Sequence, residues 1–212
     1  MNPLYFQAKF LTSANALRQL PDDAEVEVAF AGRSNAGKSS ALNRLTRNSK
    51  LARTSKTPGR TQLINYFQLG EATGQYLVDL PGYGYAKVSR DKRAHWQRVL
   101  GDYLIKRQAL KCLVLLTDVR HPLTDVDWQL LDFVLQHREG APLDLHLLLT
   151  KADKLSRNKA HAALHASVRA LESAGVEASL QLFSALKGDG LDDLHGLLDH
   201  YFVGPSDDSS VD

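Results

Sequence analysis

The run "EVEVAFAG" (25–32) alternates polar and apolar positions, then turns apolar before a glycine. That pattern predicts a strand entering a buried sheet. "TQLINYFQL" (61–69) and "GQYLVDL" (74–80) predict two further strands joined by a turn around Gly70–Gly74. "KCLVLLTD" (111–118) and "LDLHLLLT" (143–150) are apolar almost throughout and predict buried strands, with "SLQLFSA" (179–185) the last. Helices are predicted over 38–46, 89–109, 156–173 and 190–201, and from Thr124 onward. Thr124 serves as the cap of its helix and Gly175 closes 156–173. In 89–109, Trp96, Val99, Leu100, Tyr103 and Leu104 share one face. Strands alternating with helices predict an α/β fold: a mostly parallel sheet of about six strands with helices on both faces. No repeat or linker divides residues 1–203, so one domain is expected, followed by an acidic tail, 204–212, expected to be disordered.

Composition narrows the setting. The 212 residues suffice for one core. A single cysteine, Cys112, excludes an internal disulfide and fits a reducing, cytoplasmic compartment. Its apolar strand makes it core rather than a nucleophile. No run approaches the ~18 apolar residues of a membrane span, and the first residues lack a signal-peptide pattern. The net charge of +2 conceals an asymmetry: residues 38–111 carry 15 basic and 4 acidic side chains, residues 112–212 carry 8 and 16. Clustered cations are the electrostatic footprint of a polyanion partner such as nucleic acid. A monomer is expected.

Gly32-Arg33-Ser34-Asn35-Ala36-Gly37-Lys38-Ser39 fits G-x-x-x-x-G-K-[ST] at every fixed position, between a predicted strand and a predicted helix. It makes the fold a three-layer P-loop NTPase. Its glycines let backbone N–H groups turn inward onto phosphate oxygens. Lys38 adds charge at the β- and γ-phosphates, and the Ser39 hydroxyl is placed for Mg²⁺.

The strand 143–150 ends in Thr150-Lys151-Ala152-Asp153, a form of the guanine box. One carboxylate accepts both N1–H and N2–H₂ of guanine, whereas adenine lacks the N1–H and leaves Asp153 unpaired. The Lys151 stem can cover the base. Phe183-Ser184-Ala185 is placed to aim a backbone N–H at O6. GTP and GDP are therefore the expected ligands.

Asp79 ends a strand where a second acidic contact to Mg²⁺ belongs, and Gly82 leaves an N–H free for the γ-phosphate. A threonine before Asp79 should complete the Mg²⁺ shell, with Thr54, Thr57 and Thr61 in competition. Tyr83 follows Gly82 where many GTPases carry a water-orienting glutamine. Three substitutes are open: slow unaided hydrolysis, a group from a partner, or a monovalent cation. Asn35 could hold K⁺ through its amide oxygen, or it could be a turn residue tolerating an unusual backbone angle.

"GRSNAGKSS", "TSKTPGRTQLINYF", "DLPGYGYAKV", "TDVRHPLTDVD", "TKADKLS" and "FSALKGDG" together resemble the EngB (YihA/YsxC) family of bacterial ribosome biogenesis GTP-binding proteins, from about residue 5 to 203. The resemblance implies GTP with Mg²⁺, a role in large ribosomal subunit assembly, and a requirement for normal division and septation. It makes Thr61 the Mg²⁺-binding threonine, Thr57 the second choice. It extends the nucleotide-contacting set to Arg33, Ser34, Ala36 and Ser40, to Gly59, Arg60, Thr61, Gln62 and Leu63, and to Leu80 and Pro81. Lys38, Thr61, Gly82 and Asn35 are the expected catalytic set, and Ser39, Thr61 and Asp79 the expected metal ligands. The relatives Era and TrmE, some of them potassium-activated, also carry asparagine at the place of Asn35. Nothing carries over to the tail.

"RDKRAHWQR", with Lys87, Arg90, Lys92, Arg93 and Arg98, is the favoured rRNA contact, against an ordinary solvated helix face. His161 and His165 lack a third ligand and are expected on a helix surface. Trp96 and Trp128 are expected to pack. A small-molecule P-loop kinase and a division-site scaffold using GTP structurally are the competing functions.

Overall fold

The chain builds one seven-stranded sheet in the order β1-β3-β4-β2-β5-β6-β7. The computed structural model describes residues 2–52, 63–71, 74–83, 90–139 and 141–204, without the side chains of 90–97. The strands are β1 (Lys9–Ala14), β2 (Val26–Gly32), β3 (Ile64–Gln68), β4 (Gln75–Asp79), β5 (Leu110–Asp118), β6 (Asp144–Thr150) and β7 (Ser179–Leu182). The helices are α1 (Lys38–Leu45), α2 (Arg90–Lys106), α3 (Asp125–His137), α4 (Arg157–Ser173) and α5 (Leu191–Phe202). β1 and β4 both run antiparallel to β3; β4, β2, β5, β6 and β7 are mutually parallel.

The apolar runs divide between two faces. Ala29, Ala31, Val78, Leu113, Leu115, Leu147 and Leu149 face a layer that includes Leu104 of α2, Leu131 of α3 and Leu171 of α4. Their neighbours Val28, Phe30, Leu77, Val114, Leu116 and Leu148 face Leu42 and Leu45 of α1 and Leu194 and Leu198 of α5. This is the expected three-layer arrangement. It explains why β5 and β6 read as continuous apolar runs: parallel strands covered on both faces have no wet side.

The seventh strand is a departure from the sequence reading. β1 pairs with β3 at the sheet edge, and its register shifts between Phe10 and Thr12. The irregularity breaks the period-two pattern, and Phe10 and Leu11 remain exposed. The last strand is also shorter than predicted, because 183–185 leave the sheet to form a loop at the candidate site.

Glu27 departs from the alternating pattern as well. It is fully buried on β2. Its Oε1 accepts from Arg107 Nε at 2.8 Å and Nη2 at 2.7 Å, and its Oε2 from Tyr103 Oη at 2.8 Å. Arg138 donates to the carbonyls of Leu104, Arg107 and Leu110 at 2.8, 2.9 and 3.1 Å. These contacts fasten the C-terminal end of α2 to the sheet, at the end opposite the phosphate loop. Among the described residues no helix is long and apolar enough to cross a membrane.

Candidate nucleotide site

Gly32, Asp79, Asp118 and Thr150 end four neighbouring parallel strands, so their side chains and following loops meet at one edge. Ligands of open α/β sheets bind at such strand ends. Gly32 is required by packing: a Cβ there would lie 2.8 Å from the Leu116 carbonyl oxygen of β5. Gly37, at the start of α1, has φ +96°. Asn35 has φ +64°. That left-handed angle gives asparagine a structural reason to be there.

Lys38 Nζ forms an ion pair with Asp79 Oδ1, and both side chains are largely buried. Ser39 and Ser40 follow in the first turn of α1. The predicted phosphate ligand and the predicted metal ligand thus stand against each other. Asn65 Nδ2 donates to the other Asp79 oxygen at 3.4 Å. Oxygen donors from Ser39 and Asp79 suit a hard cation such as Mg²⁺, and the position already accommodates a positive charge. Leu80 N donates to Phe30 O at 3.0 Å, and Pro81 is buried. A Cβ on Gly82 would lie 3.4 Å from Ser34 N, so the Asp79–Tyr83 loop lies directly on the phosphate loop. Tyr83 N donates to Gly32 O at 3.4 Å and Ser34 N to Tyr83 O at 3.3 Å.

At the base end, Thr150 Oγ1 donates to Ala36 O at 2.5 Å and lies 3.1 Å from Thr117 O. Ala152 N donates to Phe183 O at 3.1 Å, which sets the Thr150–Asp153 turn beside the Phe183–Ala185 loop. Ser184, fully buried, donates from Oγ to Asp153 Oδ1 at 2.6 Å. That hydrogen bond holds the Asp153 carboxyl below the usual carboxylate range. Gly37, Ser40, Thr150, Lys151, Asp153, Phe183 and Ala185 line one cavity of about 790 Å³, into which the exposed Leu186 also projects.

Asp118 joins the site without any motif to announce it. Lys151, at φ +59°, sends Nζ to Asn35 O at 2.7 Å and to Asp118 Oδ2 at 2.9 Å. Arg120 grips the same carboxylate, Nε to Oδ1 at 2.9 Å and Nη2 to Oδ2 at 2.7 Å. Arg120 first, then Lys151, holds the Asp118 carboxyl well below its ordinary range. The available signal was an acidic residue ending a buried strand with arginine two positions on.

Tyr83 does not face the site. Its ring is buried, and its hydroxyl donates to Asp127 Oδ1 of α3 at 2.7 Å. Gly59, Arg60, Thr61 and Gln62, with Thr54, Thr57 and Lys87, lie outside the described residues, as does the tail from 205. Leu63 directly precedes β3. Cys112 is buried in β5, and burial pushes its thiol up to about 12. Trp128 packs at the rim of the core, whereas the side chain of Trp96 is among those not described. His161 and His165 are exposed on α4.

A phosphate loop ending the central strand, with the threonine-lysine-x-aspartate turn and its serine loop beside it, defines a P-loop protein of the GTPase class. The sequence profile of a family described as "50S ribosome-binding GTPase" matches residues 27–151. A "Probable GTP-binding protein EngB" of Vibrio parahaemolyticus is 50% identical over 199 residues, 94% of this chain and 88% of the relative. One from Salmonella newport is 50% identical over 198 residues, 93% and 91% of the two chains. A solved structure of "a probable GTP-binding protein engB" superposes with a TM-score of 0.61 at 20% identity, over 82% of this chain and 96% of that one. The chain belongs to the EngB family of GTP-binding proteins, a GTPase family.

Membership makes guanine nucleotide the ligand against which Asp118 can be tested. Asp118→Ala leaves Lys151 with only the Asn35 carbonyl. Loss of one charge-assisted hydrogen bond should speed GDP release about tenfold. Displacement of a fluorescent GDP by excess unlabelled GDP measures it, and a wild-type release rate contradicts the role.

Proposed function

We propose that this chain is a Mg²⁺-dependent GTP switch that binds assembling large ribosomal subunits, hydrolyses GTP slowly, and is needed for normal division and septation. The observation that carries the switch is the Lys38–Asp79 ion pair, with Gly82 three residues beyond Asp79 against the phosphate loop. Triphosphate draws Lys38 to its β- and γ-oxygens. Asp79 and Ser39 would hold the Mg²⁺, with Thr61 as the further expected ligand, and the Gly82 N–H would meet the γ-phosphate. Bound Mg²⁺ supplies positive charge that neutralises the phosphate oxygens. Asp153 accepts from the guanine edge, the Lys151 stem covers the ring, and Ala185 N–H faces O6. The remaining contacts expected from the family pattern are those of Arg33, Gly59, Arg60, Gln62 and Leu63.

The direction of Tyr83 supports slow hydrolysis. With its hydroxyl bonded to Asp127, it offers nothing to an attacking water. Asn35 stands on the phosphate loop, and a K⁺ held by its amide oxygen would supply the charge that an arginine finger gives other GTPases. Single-turnover hydrolysis should be faster in KCl than in matched NaCl, and Asn35→Ala should abolish the difference. Equal wild-type rates in the two salts leave a ribosomal partner as the source of catalysis.

The description of the matching family supports a ribosomal partner. So does the cationic stretch, in which Arg44, Arg47, Lys50, Arg98 and Lys106 are exposed. Lys38 and Arg107 do not count toward that surface, because they are largely buried against Asp79 and Glu27, whereas Lys106 stays exposed beside Asp102. Each phosphate contact releases counterions, so particle binding should weaken steeply with salt. Changing Arg90, Lys92 and Arg93 to Glu should remove most particle binding and leave GTP affinity within twofold. Co-sedimentation of that variant at moderate salt would move the RNA face elsewhere.

A further inference from the structure

Tyr83 is bound more firmly than a residue of a free switch loop needs to be. Its phenol is 7% exposed and the Asp127 carboxylate it meets is fully buried. The bond is short, 2.7 Å. By contrast, its backbone contacts to the phosphate loop are long, 3.4 Å to Gly32 O and 3.3 Å from Ser34 N. The side chain, not the main chain, is therefore the stronger tether of residue 83.

Asp127 does not need Tyr83 for its own helix. Its Oδ2 alone serves the cap, accepting from Thr124 N at 2.9 Å and Thr124 Oγ1 at 2.8 Å. Oδ1 is left over and points at the loop that follows β4. Burial and the neighbouring Asp127 charge raise the Tyr83 phenol above its ordinary range, so it remains a donor. On the other side of Gly82, Leu80 is fully buried and donates its N–H to Phe30 O at 3.0 Å. Gly82 sits between two fixed points, Leu80 tied to β2 and Tyr83 tied to α3.

We infer that Tyr83 and Asp127 are positioning residues for the γ-phosphate: they hold the Gly82 N–H near its working place before GTP arrives, and so set the preference for triphosphate over diphosphate. The inference rests on the reading of this site as a GTP switch. A donor fixed in advance loses less freedom on binding, and the gain appears only for a ligand that reaches it. GDP has no γ-phosphate and is indifferent to Gly82. The glutamine place is thus filled by a residue that acts through the backbone beside it.

The test is the ratio of two affinities, for a non-hydrolysable fluorescent GTP analogue and for fluorescent GDP, both with Mg²⁺. Tyr83→Phe keeps the ring and removes the bond. It should weaken the GTP analogue about tenfold or more, the worth of one hydrogen bond to a charged group, and change GDP less than twofold. Asp127→Asn, which cannot serve both Thr124 and Tyr83 as acceptor, should shift the ratio the same way. Thr124→Ala is the control: it should lower the melting temperature by loss of the cap and leave the ratio unchanged. A wild-type ratio in Tyr83→Phe, or equal loss of both ligands, overturns the inference. A wild-type protein without affinity for either guanine nucleotide overturns instead the GTP reading beneath it.

Discussion

Asp153→Asn should turn the site from guanine toward xanthine. The carboxylate is the group that reads the base edge, and its geometry is set from two sides. Ser184 Oγ donates to Oδ1 at 2.6 Å, and the Ala152–Phe183 hydrogen bond holds the two loops together. The depressed titration of Asp153 keeps it ionised and able only to accept. Guanine offers two donors to it. An asparagine presents its own N–H₂ to one of them, and that buried clash removes a pairing rather than weakening it. Xanthine carries a carbonyl in place of the N2 amine and accepts what the amide offers. GTP affinity should fall on the order of 10²-fold or more, by the logic through which a polar site rejects a mismatched partner. XTP should become the better ligand. Competition of GTP and XTP against a fluorescent nucleotide reads the exchange. Unchanged affinities for both would mean that the base lies elsewhere.

Lys38→Ala and Ser39→Ala should separate phosphate binding from metal binding, although the residues are adjacent. Lys38 lies with its ammonium against Asp79, both nearly out of solvent. Its loss removes a cation from the β-phosphate and leaves the Asp79 carboxylate without its ion-pair partner. GDP and GTP should both weaken about 10- to 100-fold, the range of one or two charge-assisted hydrogen bonds. Ser39→Ala should cost less overall, and what it loses should be the response to Mg²⁺. Titrations with Mg²⁺ and with a chelator distinguish the two variants. A Ser39→Ala protein as Mg²⁺-dependent as wild type contradicts the metal role of that hydroxyl.

What the sequence disclosed, and what it hid, follows the distance over which each feature is built. Gly32–Ser39 is contiguous, and its chemistry depends on backbone shape that the glycines declare. Thr150–Asp153 is equally local. Asp118 came into view only in three dimensions, because Lys151 reaches it from 33 positions away. Tyr83 raised the right question, but its answer lies on Asp127, 44 positions on. Glu27, within an alternating run, should have faced water by its period. Arg107, 80 positions away, makes its burial tolerable. β1 escaped because an edge strand with a register shift has neither a clean period nor a buried face. Local propensity thus disclosed the helices, the buried strands and the phosphate loop. Most of the side-chain pairs that fix the site's posture are long-range and leave no spacing to find; Asp118–Arg120, two positions apart, is the exception.

The proposed switch engages the large ribosomal subunit in its GTP form. Sedimentation of the protein with ribosomal particles through sucrose gradients, in a non-hydrolysable GTP analogue or in GDP at the same salt, tests it most directly. The protein should travel with large-subunit particles in the GTP analogue and remain at the top of the gradient in GDP. The same distribution with both nucleotides, or no particle association with either, would contradict it.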